Sequence, residues 1–509
     1  MKKLSIQTAI IGAGISGIAA ANNLLDHDYE DFLIFEAGHR IGGRCHTFTH
    51  GEGILELGAQ FIHGQVGNPI YQLAAENNLI DECYSQILHD SDQDLDKHNG
   101  LKINFEDKEV VQLFLTEQGF DVNQNLIETA YSCLNKSVRR AERHSLGTEL
   151  EQDEQMGFFF YESYLNFCRN YFNLEDAKIK KSLDALFLWR CKWENVENSC
   201  HSVFDLSLRN FSKFVELRGS QIMEPKRGYQ SIIDKLIEKN GPKFTSRVNL
   251  GQELDKILTC QQNADCEHCL YCEDSAKLVL LFADCVVMCN QVVLTMSLGF
   301  LKENIKKLFE PCDVVPREKM EAIGRLGFGT VNKIILEYEK RFWPENLEGI
   351  NLVWSNMDEE NLFDRINHVK FNQAERWSED ICSFEPALGF DNILIGWICG
   401  SYHERLGDQE VIDECTELLR KFLNRHDIPR ARKVFMSKWK SNRLFKGSYS
   451  YYAFGSKPGD IDALAKPIRL ETGPMVYFAG EATHAEFYST VHGAYLSGIR
   501  ESNKILETL

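Results

Sequence analysis

The N-terminal forty residues alternate between short apolar runs and a helical stretch. Thr8-Ala9-Ile10-Ile11 reads as a buried strand, Ile18 to Leu25 as a helix rich in small residues, and Phe32-Leu33-Ile34-Phe35 as a second strand ending at Glu36. Together they predict a βαβ unit. Residues 66 to 220 read mainly as helices, because apolar side chains recur at three- and four-residue steps, as in Leu113 to Ala141 and Met156 to Phe172. Near Pro225-Lys226-Arg227-Gly228-Tyr229 the pattern changes to loop, a helix from Ser231 to Glu238, and strands. The most hydrophobic region, Leu278 to Leu301, is interrupted by Asp284, Asn290 and Gln291 and is rich in β-branched residues. It predicts two buried strands and a turn, not a membrane helix. No repeat or low-complexity linker divides the chain.

At 509 residues the chain is long enough for two or three domains' worth of core. Its 43% hydrophobic and 26% charged residues suit an ordinary globular protein. The net charge of −19, from 56 basic and 75 acidic residues, argues against nucleic acid or an anionic membrane as the main partner. It is compatible with a cationic substrate, and equally with mere solubility. Sixteen Cys over this length are too sparse for a disulfide scaffold. Met1-Lys2-Lys3 runs almost directly into the first strand without a signal peptide, and Glu507-Thr508-Leu509 is not an S-K-L-type peroxisomal address. The expected compartment is the cytoplasm.

The chemistry starts between the first two strands. Gly12, Gly14 and Gly17 form a G-x-G-x-x-G motif: the first turns the strand into the helix, the second lets a pyrophosphate approach the backbone, and the third lets helix and strand pack closely. The helix N-terminus favours the phosphates. Glu36, 19 residues after Gly17, ends the second strand where a carboxylate can bind both ribose hydroxyls. Arg40-Ile41-Gly42-Gly43-Arg44 follows; this G-G-R extension resembles a flavoprotein pattern and favours FAD over NAD. In Glu56-Leu57-Gly58-Ala59-Gln60-Phe61-Ile62-His63-Gly64, a Gly-Ala step lets backbone approach a planar ring, with an imidazole beside it. Cys260, Cys266, Cys269 and Cys272, with His268 among them, are too compressed for the paired knuckles of a structural zinc site, so no metal is expected.

With these motifs the chain resembles the flavin-containing amine oxidases, and within them the animal polyamine oxidases. Gly329-Thr330-Val331-Asn332-Lys333 followed by Phe342-Trp343, the turn Gly447-Ser448-Tyr449-Ser450-Tyr451, and Phe478 to His484 with Tyr488 to Gly498 all resemble family segments. The resemblance implies an α/β, two-domain flavin amine oxidase-like fold. A Rossmann-type FAD-binding domain would take residues 1–85, 222–300 and 432–509, and an α+β substrate-binding domain residues 86–221 and 301–431, with the chain crossing between them. It implies FAD contacts at Gly12, Gly14, Gly17, Glu36, Arg44, Gly58, Ala59, Val248, Glu481, Thr490 and Val491.

The same resemblance implies oxidation of a secondary amine to an imine, hydrolysis to an amine and an aldehyde, and return of the electrons to dioxygen as hydrogen peroxide. Lys333 matches the lysine that holds a water near the flavin, and His63 the active-site histidine that bonds an inner substrate nitrogen. Glu197 and Ser199 match a polyamine-tunnel pair, Ser489 and Thr490 a pair at the end of the substrate chain. Tyr449 matches the aromatic residue at the flavin face, with Tyr451 either beside it or in the core. The substrate remains open among spermine, N1-acetylspermine and spermidine derivatives, with the Glu197-x-Ser199 segment leaning to spermine. The monoamine oxidases attach FAD through a Cys near the G-S-Y-S-Y position; none stands here, so FAD is expected to be noncovalent. Animal polyamine oxidases usually carry Trp at Phe61, a change that could widen the pocket beside His63. The competing readings are a flavin histone demethylase, a desaturase sharing the N-terminal motif, and a catalytically silent FAD-binding polyamine sensor.

Overall fold

A computed structural model of the chain describes residues 2–81, 111–119, 122–147, 153–172, 176–259, 278–355, 361–367, 374–471 and 473–508. The Cys260 to Cys272 cluster and most of the Glu149 to Glu154 acidic run lie outside the described residues.

The expected βαβ unit is present as Thr8–Ile11, Ile15–Asp26 and Phe32–Glu36. It builds the middle of a six-stranded sheet in the order Ile468–Arg469, Met475–Phe478, Gln291–Leu294, Thr8–Ile11, Phe32–Glu36, Val248–Leu250. All neighbours in it are parallel except the first pair. The central strands are buried on both faces, as parallel strands covered by other elements must be. The Val491–Leu506 helix lies against Ile15–Asp26 so closely that a Cβ on Gly498 would stand 2.1 Å from the Ser16 carbonyl oxygen.

A second, five-stranded sheet joins Lys2–Ser5, Cys285–Cys289, Leu278–Phe282, Leu254–Thr259 and Phe309–Glu310. A third, six-stranded sheet, antiparallel except for its last pair, runs Lys433–Met436, Val331–Glu337, Ile393–Cys399, Ile381–Pro386, Leu347–Val353, Val111–Thr116. The helices Met156–Tyr171, Ala177–Asn198 and Asp408–Leu423 pack with this sheet in the largest core, around Phe187, Trp189, Ile334, Phe384 and Phe422. The α/β, two-domain amine oxidase-like class is thus realised. Residues Leu301 to Leu326 contribute to the core beneath the dinucleotide-side sheets, while Val434 belongs to the core of the antiparallel sheet.

Two expectations change. Leu113 to Thr116 is strand, not helix: it pairs in parallel with Leu347–Val353, and the helix begins only at Gln124. A short apolar run carries no periodicity that separates a strand from a helix, so the distant partner decides. The hydrophobic Leu278 to Leu301 region holds three strands and the start of a helix. Gln291, read as a break, opens a strand that pairs on both sides in the central sheet, and Ser297 caps the Leu298–Leu308 helix through a 3.1 Å bond from the Phe300 N–H. No helix among the described residues is long and apolar enough to cross a membrane.

Gly498→Ala forces the two helices apart where backbone meets backbone. The overpacking cost is about 1–3 kcal/mol, so the variant should unfold at a lower temperature in thermal denaturation. An unchanged unfolding temperature would show that the interface yields freely.

Candidate functional site

A cavity of about 1540 Å³ extends from the glycine-rich turn to the antiparallel sheet. At its dinucleotide end Gly12 adopts φ +107°, where a built Cβ would lie 2.3 Å from Thr295 Oγ1. Gly14 and Gly43 face each other, and a Cβ on Gly43 would stand 3.2 Å from the Gly14 Cα. Gly14 caps the Ile15–Asp26 helix without a side-chain bond, leaving the first-turn N–H groups to an anion. Glu36 receives the Ala13 and Gly38 N–H groups at 2.8 and 2.7 Å, which fixes its carboxylate at the strand end. Arg44 donates to Glu481 and to the Ser448 carbonyl, both at 2.7 Å, and the other Glu481 oxygen accepts from Ser450 Oγ and the Ser489 N–H. Thr490 caps the Val491–Leu506 helix by accepting the Gly493 N–H at 3.0 Å and donating to the Phe487 carbonyl at 2.7 Å, with Val491 on the cavity wall. Two side-chain-free cradles, a helix N-terminus and a held carboxylate fit a dinucleotide such as FAD. Among the described residues no cysteine lines the cavity.

Gly58, Ala59, Gln60, Phe61 and His63 form the next stretch of wall. Lys333 reaches this segment from the antiparallel sheet. Its ammonium donates to the Glu56 carbonyl (3.0 Å), the Gly58 carbonyl (2.9 Å) and Gln60 Oε1 (2.7 Å), and it lies 4.8 Å from the centre of the Trp397 ring. Burial lowers its pKa, opposed by Glu56, Glu224 and Glu385. His63 Nδ1 bonds the Gln221 carbonyl at 2.7 Å, so that nitrogen carries the hydrogen and Nε2 of the neutral ring is an acceptor. Burial depresses this histidine and keeps it neutral. Phe61 stacks on Trp397 with centroids 6.1 Å apart and stands 6.5 Å from the His63 ring.

Glu197 sits in the last turn of Ala177–Asn198 and opens onto the cavity with its side chain 33% exposed. One oxygen accepts from Trp193 Nε1 at 3.0 Å; the other stands 3.6 Å from Arg190, which pairs with Glu194 at 2.6 Å. Burial and Glu194 push its carboxyl up to about 7, against Arg190. The Tyr449 ring lines the wall while its hydroxyl bonds the Val196 carbonyl. Tyr451 also lines the cavity and packs on the largest core.

Three expected residues are not on the cavity wall. Gly17 serves packing, since a Cβ there would meet the Gly12 carbonyl oxygen at 2.0 Å. Val248 pairs with Ile34 beside the Glu36 strand and packs into a core. Ser199 is fully buried behind the wall, caps the helix with φ +53° and bonds Ser448 Oγ at 2.9 Å. The α-left turn that ends the helix carries its hydroxyl away from the cavity. Ser489 lines the wall, but its hydroxyl is held by the Ser450 carbonyl. Sequence reasoning missed Glu216, Glu224, Glu385, Trp193 and Trp397, all on the wall. They are scattered along the chain with no local motif, and the continuous apolar run of the Ile393–Cys399 strand gives no sign of which face Trp397 takes.

Comparison with known proteins places this geometry. The family model described as flavin containing amine oxidoreductase matches residues 15–506. A Bos taurus protein named peroxisomal N(1)-acetyl-spermine/spermidine oxidase is 30% identical, covering 98% of this chain and 94% of its own. Its Homo sapiens namesake is also 30% identical with the same coverage. A solved putrescine oxidase double mutant superposes with a TM-score of 0.64 at 16% identity, over 99% of this chain and 100% of that one.

Among the described residues the wall offers a flavin no cysteine, and the sequence reading expects noncovalent FAD. Acid or heat denaturation should therefore release the yellow chromophore into the supernatant. Retention on the precipitated polypeptide, measured by absorbance, would contradict the noncovalent assignment.

Proposed function

The chain belongs to the flavin-containing amine oxidoreductases and is an FAD-dependent amine oxidase; from that premise we propose that it oxidises the carbon next to a secondary amine of a polyamine, spermine or an N1-acetylated form. The products are a shorter polyamine, an aminoaldehyde and hydrogen peroxide. Bound FAD supplies the two-electron acceptor for the C–H bond, and dioxygen the final one. Gly14, Gly43 and the Ile15–Asp26 helix end would hold its pyrophosphate, Glu36 its ribose, and Gly58 and Ala59 its ring.

The observation that carries the reading is Glu197, a carboxylate beside Trp193 that lines the same cavity as Tyr449 and the neutral His63. Polyamines carry spaced ammonium groups. A partly desolvated carboxylate binds one of them, aromatic faces favour the chain, and the His63 Nε2 lone pair accepts from an inner nitrogen. The reacting nitrogen must be neutral before its neighbouring carbon gives up hydride. Binding one ammonium at Glu197 leaves that nitrogen free to lose its proton. Lys333 pins the Glu56–Gln60 segment that forms the ring wall, so its role is both positional and electrostatic. Ten cysteines with described side chains are free thiols, in keeping with a reducing compartment.

Steady-state kinetics on spermine, spermidine and their N1-acetyl forms, with products identified and peroxide measured, test the reading; a protein that holds FAD and turns over none of them would refute it. Lys333→Met should retain FAD and slow turnover, in flavin reduction, reoxidation or both, as stopped-flow absorbance will resolve. Wild-type rates in both half-reactions would remove Lys333 from the mechanism. Glu197→Gln should weaken spermine far more than an uncharged secondary amine of similar length. Loss of one charged contact is worth roughly 1.5–3 kcal/mol, or on the order of 10- to 100-fold in kcat/KM. Equal losses on both substrates would assign Glu197 to the fold.

A further inference from the structure

The wall around Lys333 carries more negative charge than its one cation balances. Glu385 stands on the Ile381–Pro386 strand and Glu224 just before the Gly228–Glu238 helix, and both line the cavity. Their hydrogen-bond donors are neutral. Glu385 accepts from Trp397 Nε1 at 3.1 Å and from Ser383 Oγ at 3.2 Å, and Glu224 accepts from Gln60 Nε2 at 3.0 Å. Neither makes an ion pair among the described residues. Lys333, the nearest cation, has its three protons committed to Glu56, Gly58 and Gln60. Burial raises both carboxyls, Glu385 to about 7. A carboxylate removed from water without a cation is costly, and an arriving ammonium relieves that cost.

The placement adds direction. Trp397 is the register partner of Lys333, stacks on Phe61, and donates its indole N–H to Glu385. An aromatic wall therefore leads along the cavity to a carboxylate. This is a different wall from the Ala177–Asn198 helix that presents Glu197.

Resting on the polyamine reading above, we propose that Glu385, supported by Glu224, is a specificity-determining residue that receives a second ammonium of the substrate. The enzyme then favours polyamines whose nitrogen on the Trp397 side is a free ammonium. Acetylation on that side replaces the ammonium with a neutral amide and leaves the carboxylates sharing Lys333 alone, so acetylated forms bind with their acetyl group away from Glu385 or poorly.

The test compares spermine, N1-acetylspermine and doubly acetylated spermine on wild type and on Glu385→Gln, with FAD content and unfolding temperature as controls. Glutamine keeps an acceptor for Trp397 and removes the charge. The expected result is a loss of about 10- to 100-fold in kcat/KM on spermine, carried by KM, with doubly acetylated spermine changed less than about twofold. Equal losses on both substrates, or an unchanged spermine KM, would overturn the proposal while leaving polyamine oxidation intact. A wild type that oxidises no polyamine would overturn both. Should Glu385→Gln lose FAD, inhibition of the wild type by α,ω-diamines and by n-alkylamines of equal length decides. A diamine preference of about tenfold or more supports the second ammonium position, and equal inhibition refutes it.

Discussion

The site depends on one buried cation. Lys333 is 3% exposed, yet its ammonium finds three oxygen acceptors in the segment Glu56 to Gln60. A buried ammonium is tolerated only when its protons are all used and nearby negative charge offsets its desolvation. Here the carbonyls supply the first condition, and Glu56, Glu224 and Glu385 supply the second. The lysine belongs to the antiparallel sheet, whereas its acceptors follow the glycine-rich stretch of the parallel one. Lys333 thereby joins the two halves of the cavity, together with Trp439, whose indole N–H donates to the Leu57 carbonyl at 3.2 Å.

At the cofactor end, close approach has a different basis. Absent side chains, not charges, bring Gly14 to Gly43 and Gly498 to Ser16. The Arg44–Glu481 pair then ties the first strand-turn-helix to the C-terminal segment, and Ser448 and Ser450 draw in the G-S-Y-S-Y turn. Backbone contact and the Arg44–Glu481 pair shape the cofactor end of the cavity, and the network around Lys333 shapes the next stretch of wall. That arrangement matches the two tasks of an amine oxidase, holding a dinucleotide by its pyrophosphate and ribose and presenting an amine to its flavin ring.

The acid excess has a similar logic. Glu194 is neutralised by Arg190, but Glu197 shares that guanidinium only at 3.6 Å, and Glu385 and Glu224 rely on neutral donors. A net charge of −19 alone distinguishes neither solubility from binding nor one substrate from another. Its meaning changes when some of the acids are found on a cavity wall, where water cannot disperse their charge.

The strand-helix-strand, its three glycines and Glu36 were legible in the sequence as a local pattern, and the resemblance of their segments to family motifs singled out Lys333 and His63, which the fold places on the cavity wall. A glycine spacing encodes its own geometry within a few residues. What the tertiary structure alone decided is everything that required a distant partner. Leu113 to Thr116 became a strand through pairing with Leu347–Val353. Ser199 turned away to Ser448, although two residues earlier Glu197 faces the cavity. Glu224, Glu385 and Trp397 meet Lys333 only because three separate elements converge on it. Side-chain direction across a sheet and charge balance in a cavity are set by long-range contacts, and neither leaves a mark in the order of neighbouring residues.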